Sequence, residues 1–124
     1  PGEKRDYEAA MDIFRKGDFV AAQTALVQFL QRNGKSGYAP SALFWLGNAQ
    51  YANKSYKDAM ANFQQLLNVA PGHARAPEAM LAISNVQIEL KDLKAARKTL
   101  DDLVKAFPAS EAANTARDRL TRLR

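Results

Sequence analysis

Apolar positions recur along the chain at alternating intervals of three and four residues. Ala59, Phe63, Leu66, Leu67 and Ala70 follow the i, i+4, i+7, i+8, i+11 spacing of one helix face. Val20 to Leu30 and Ala95 to Phe107 carry the same stripe, so three amphipathic helices are predicted there. A second helix is predicted ahead of each stripe. Leu43, Leu46, Gly47 and Gln50 share a face in the middle of the chain, and Met80, Ile83, Ser84 and Gln87 do so further on. No run of alternating β-branched residues competes. Short polar breaks at Lys16-Gly17-Asp18, Asn53-Lys54-Ser55 and Lys91-Asp92 turn the first helix of each pair back onto the second. Pro40 and Pro77 suit a first helical turn, where a missing N–H is harmless, and Pro71 and Pro108 suit positions just beyond a helix end.

The pairs are copies of one another. Shifted by 37 places, RKGDFVAAQTAL aligns with ANKSYKDAMANF and with ELKDLKAARKTL. Ala22, Ala59 and Ala96 coincide, as do Leu26, Phe63 and Leu100, then Phe29, Leu66 and Leu103. One helix pair cannot bury its apolar face alone, whereas stacked pairs share a continuous core. The chain is therefore expected to be one all-α domain over residues 1–124, an α-solenoid of three helix pairs at about 3–36, 40–73 and 77–110. A capping helix over about 110–123 should close the stack, with Ala113, Ala116, Leu120 and Leu123 on the stack and Arg117, Arg119, Arg122 and Arg124 elsewhere. Cations near a helix C-terminus are favoured by the macrodipole, which accounts for the arginines without a ligand.

The second unit, PSALFWLGNAQYANKSYKDAMANFQQLLNVAPGH, resembles a tetratricopeptide repeat. The family's leucine-glycine pair stands at Leu46-Gly47, its turn aromatic at Tyr56 and its small residue at Ala59, followed by Phe63 and Pro71. The tryptophan comes two places late, at Trp45, and Gln50 replaces an aromatic that stands instead at Tyr51. The third unit has Ile83-Ser84 for the leucine-glycine pair; the first has Ala9-Ala10, and Gly34 for the closing proline. The repeat is three residues longer than the usual 34. With GYAPSALFWLG and its echo ARAPEAM, that spacing is similar to the C-terminal tetratricopeptide domain of the YbgF/CpoB family of cell division coordinators. Outer-membrane assembly lipoproteins use similar long-spaced repeats. The resemblance implies a right-handed solenoid and a periplasmic, non-catalytic adaptor of the Tol-Pal system that contacts TolA and a peptidoglycan synthase. It also implies a homotrimer, through a coiled coil that is not in this sequence.

In such a stack the first helices line the concave face. Positions pointing away from the second helix are Tyr7, Met11 and Phe14 in the first unit, Phe44, Asn48 and Tyr51 in the second, and Leu81, Asn85 and Ile88 in the third. Trp45 lies toward the edge. Seven of these nine are large and apolar or aromatic, which suits a groove for a peptide or helix. The opposing reading is tight curvature, with these side chains packed on one another. Asn48 and Asn85 are equivalent and resemble the carboxylate-clamp asparagines of the family, but Phe44, Ser41 and Glu78 stand where that clamp has lysines.

Composition adds mainly exclusions. The absence of cysteine removes thiolate chemistry, and the one histidine, His73, sits in an inter-unit turn without motif neighbours and is expected to be solvated. Asp101 and Asp102 diverge by about 100° on one helix, so they form no paired-carboxylate site. Neither a glycine-rich phosphate loop nor a His-Glu-x-x-His spacing occurs, so neither an enzyme nor a cofactor is expected. A first residue of Pro1 rather than Met suggests a mature chain or an excised domain. A net charge of +5 and a pI near 9.6 raise nucleic acid as a rival partner. Lys4 and Arg15 at one end of the groove rim and Glu78 and Glu89 at the other oppose it, because a phosphate track carries one sign of charge.

Overall fold

The computed structural model describes residues 2–123; Pro1, and with it Arg124 of the C-terminal arginine cluster, lie outside the described residues. The described residues form seven α-helices: α1 (Gly2–Arg15), α2 (Phe19–Arg32), α3 (Ala39–Ala52), α4 (Tyr56–Val69), α5 (Ala76–Glu89), α6 (Leu93–Ala106) and α7 (Glu111–Arg122). Helices α1/α2, α3/α4 and α5/α6 are the three pairs, and α7 caps the stack. Each helix packs on the one before and the one after it, and contacts of α5 with α3 and α7 bring these three side by side.

Turn chemistry sets the hairpins. Gly17, Lys54 and Lys91 stand 37 residues apart, and all three adopt the left-handed conformation, with φ of 83°, 63° and 64°. At the second and third turns this residue lets the next amide reach back five residues, Ser55 N–H to Gln50 C=O at 2.8 Å and Asp92 N–H to Gln87 C=O at 2.8 Å. Those bonds satisfy otherwise orphaned helix-terminal carbonyls. The same Asp92 starts the following helix by accepting from Ala95 N–H at 3.1 Å, as Asp18 does from Ala21. The inter-unit turns repeat as well. Ser36 Oγ accepts from Tyr38 N–H, and His73 Nδ1 accepts from Arg75 N–H, each at 3.0 Å, so His73 is a half-buried turn former and not the solvated residue expected. A 3.5 Å approach of its Nε2 to Ser41 Oγ completes its surroundings.

Three apolar clusters follow the units, the central one built from residues such as Leu43, Phe63, Leu66, Ile83 and Val86. Packing inside a pair is matched in volume. Gly47 faces Phe63, and a Cβ at position 47 would stand 2.6 Å from the ring. Where the second helix carries leucine instead, the facing residue carries a Cβ: Ala10 in the unit of Leu26, Ser84 in the unit of Leu100. Gln50 and Gln87 accept from Asn62 at 2.7 Å and Thr99 at 2.8 Å across their pairs, while the equivalent residues of the first pair are Ile13 and Ala25. No helix of the described residues is long and apolar enough to cross a membrane.

Candidate functional site

The groove residues fall in three layers, each drawn from equivalent turns of α1, α3 and α5. In the first layer a residue from the following inter-unit turn folds over the floor residue of each of the first two units. Tyr38 stacks on Tyr7, ring centroids 5.0 Å apart and 20° from parallel, and Phe29 meets Tyr7 edge-on at 5.6 Å. Burial pushes the Tyr7 phenol above its usual pKa. Arg75, equivalent to Tyr38, lays its guanidinium 5.3 Å from the Phe44 ring centre and 5.0 Å from that of Trp45. The third residue of this series is Ala112, packed beside Leu81 in the C-terminal cluster.

In the second layer Asn48 Nδ2 donates to its own helix at Phe44 C=O, 2.9 Å away. Asn85 Oδ1 accepts from the Arg119 guanidinium of α7. In the third, Phe14 meets Trp45 and Phe19 edge-on at 5.2 Å each. Tyr51 lies edge-on to Tyr56 at 5.5 Å and donates its hydroxyl to Glu89 at 3.3 Å. Burial first, and then the Glu89 carboxylate, raise the Tyr51 pKa. Ile88 is half-buried.

Two of the ten expected groove residues belong to the core. Met11 and Phe44 are each only 5% exposed; Met11 packs among Ala10, Leu26, Phe29 and Leu46, and Phe44 among Leu43, Phe63 and Ile83. A helical wheel drawn against the partner helix overlooks the next unit, which covers both. The other eight, Tyr7, Phe14, Trp45, Asn48, Tyr51, Leu81, Asn85 and Ile88, are half-buried and keep part of their surface open. Tyr38, Arg75 and Arg119 were missed as groove residues, although the 37-residue register that places Tyr38, Arg75 and Ala112 at one position was available in the sequence.

The rim charges are largely paired along their own helices, Arg15 with Asp12 at 2.9 Å, Lys4 with Glu8 at 4.0 Å and Arg75 with Glu78 at 2.9 Å. Among the described residues no three His, Asp or Glu side chains converge as a metal site requires. The arrangement offers aromatic faces, amides and mixed charges, the chemistry of polypeptide recognition.

The family model described as YfiO, outer membrane lipoprotein, matches residues 2–124. The chain belongs to that family. Fifty residues, 40% of the chain, are 40% identical to a cell division coordinator CpoB from Pseudomonas putida strain KT2440, and a second Pseudomonas putida CpoB matches equally. The matched stretch spans 19% of the length of those relatives. Among solved structures, this member of the family superposes on PcrH in complex with the chaperone-binding region of PopD, TM-score 0.80 and 18% identity, over 97% of this chain and 89% of that one. PcrH is a Pseudomonas aeruginosa protein. The TPR2B domain of yeast Sti1 in complex with pHsp70 gives TM-score 0.79 and 16% identity over 98% and 94% of the two chains. The Arabidopsis OM64 TPR domain gives 0.79 and 13% over 97% and 94%. The fold is thus the tetratricopeptide solenoid, and the chain is a CpoB-like tetratricopeptide domain.

Proposed function

We propose that this domain is a non-catalytic adaptor of the bacterial cell envelope whose concave face holds a segment of another protein. The observation that carries the reading is the half-buried aromatic strip Tyr7, Phe14, Trp45 and Tyr51, organised by Tyr38 and Arg75 and partly open along the first helices. The CpoB likeness supports a periplasmic role in cell division within the Tol-Pal system. On that reading TolA supplies the bound segment, a peptidoglycan synthase is the second protein contacted, and a coiled coil outside this sequence trimerises the parent protein. About three apolar anchors contributing roughly 1.5 to 3 kcal/mol each would offset ordering costs to give affinity near the micromolar range, about −8 kcal/mol.

Titration of the domain with a TolA fragment tests this. Trp45→Ala and Tyr51→Ala should each weaken binding at least about tenfold, the loss of one aromatic anchor, and Asn48→Ala should weaken it less. Unchanged affinity in all three rejects the groove. Phe44 is unsuitable as a probe, because its truncation would open the core and unseat Arg75. The match to the outer membrane lipoprotein family favours a second reading, a scaffold in another envelope-assembly complex. That reading gains if the TolA fragment does not bind while the folded domain retains envelope proteins through Trp45.

A further inference from the structure

The first-layer register changes its chemistry at the C-terminal end of the concave face. Tyr38 covers Tyr7 and Arg75 covers Phe44, but position 112 is alanine, whose methyl group cannot reach across Leu81. A cavity of about 430 Å³ stands there between α5 and α7. Leu81, Pro77 and Ala112 line it with apolar surface, and Glu78, Glu111 and Thr115 add polar groups. One unit earlier, the corresponding neighbours of Arg75 are Ser41 in place of Glu78, Ala74 in place of Glu111 and Glu78 in place of Thr115. The series therefore loses its in-chain side chain at the unit where Glu111 enters the wall, beside a Glu78 already paired with Arg75.

We infer that this cavity is a socket for a basic side chain, best an arginine, of the polypeptide held in the groove. The inference rests on the groove reading and assigns its C-terminal end. An arginine from the partner would lie as Arg75 lies in the unit before: the aliphatic stem over the apolar floor, the guanidinium toward a carboxylate. Arg75 itself pairs with Glu78 at 2.9 Å while covering Phe44; in the socket Thr115 stands at the place of that carboxylate and Leu81 at that of the ring, so the acidic partner there is Glu111. A neutral apolar anchor would desolvate Glu111 without compensation, whereas Glu78 already has Arg75, and an acidic anchor would be repelled. Arginine surpasses lysine because its planar fork can engage a carboxylate through two N–H donors.

The probe is N-acetyl-arginine methylamide, titrated into the isotope-labelled domain beside its uncharged citrulline analogue. Amide shifts at Leu81, Ala112 and Thr115 should saturate with arginine in the millimolar range, and citrulline should bind about two- to fivefold more weakly, as expected for loss of one exposed charged pair. Ala112→Arg, which places the missing side chain in cis at a position only 7% exposed, should abolish the shifts in a domain whose circular dichroism and melting remain those of the folded wild type. The surface pair Glu78→Gln/Glu111→Gln should weaken arginine to the level of citrulline in a domain whose thermal melting is unchanged. Equal shifts with arginine and citrulline, or arginine binding undiminished by the Glu-to-Gln pair, overturn the socket. The polypeptide used to test the groove separates the two ideas. If it binds wild type and Ala112→Arg alike but is lost with Trp45→Ala, the socket fails and the groove stands; loss with Ala112→Arg but not with Trp45→Ala or Tyr51→Ala keeps the socket and rejects the groove.

Discussion

Gly47 and Phe63 show how a single position answers to its neighbour. A methyl at 47 would stand inside the radius of a ring that is itself 1% exposed, so something must move. Gly47→Ala should destabilise the domain by about 1 to 3 kcal/mol, the usual range of overpacking. Phe63→Leu alone should cost about 1 kcal/mol as a small core truncation, yet in the Gly47→Ala background it should restore stability, because the pair then matches Ala10 with Leu26. Urea unfolding of the four proteins in this cycle measures the coupling; additive losses would show that volume matching is not what keeps 47 a glycine. The raised tyrosine pKa values belong to the same scale. Tyr7 and Tyr51 hold their protons more tightly folded than unfolded, so their contribution to stability is complete below the unfolded value of about 10 and is lost as pH rises through the folded values. Stability should fall more steeply above pH 10 in the wild type than in Tyr7→Phe/Tyr51→Phe, as followed by circular dichroism.

At the scale of the element, the hairpins are one device used three times with different residues. Left-handed backbone is open to glycine and strained for other L-residues by roughly 1 to 2 kcal/mol, so Gly17→Ala should destabilise by about that amount. Lys54→Gly should be neutral to stabilising by about 1 kcal/mol, since relief of strain is partly offset by the unfolded chain's added freedom. Caps differ too. Asp18 and Asp92 bond the first turns of α2 and α6, whereas Ser55 makes no side-chain bond to α4. Asp92→Ala should therefore lower stability by about 1 kcal/mol, and Ser55→Ala should change it little; equal losses in thermal melts would contradict the assigned caps. Helices, turns and the 37-residue register were legible in the sequence because local periodicity and turn residues specify them. The groove was legible only in part. Met11 and Phe44 turn inward because the next unit covers them, Asn85 is engaged by an arginine 34 residues away, and Arg75 swings back from a turn onto Trp45. Those contacts depend on how one pair leans on the next, which a wheel drawn for a single pair does not contain.

For the whole molecule, a stack of neighbours implies uneven local stability. The central cluster is covered on both sides, while α1 and α2 have a neighbouring pair on one side only. Amide exchange should be slowest in α3, α4 and α5 and fastest in α1. Cutting the chain before Ser110 would uncover Leu100 and Leu103, both fully buried under α7, and should lower the melting temperature and bring on aggregation, visible by light scattering. The chain's one tryptophan, Trp45, touches Phe14 from the first pair and Arg75 from the turn into the third. Its emission is consequently a built-in gauge of the junctions on either side of the second pair, while circular dichroism averages over all the helices. Comparing the two signals through denaturation would reveal, without any added label, whether the junctions part before the helices melt.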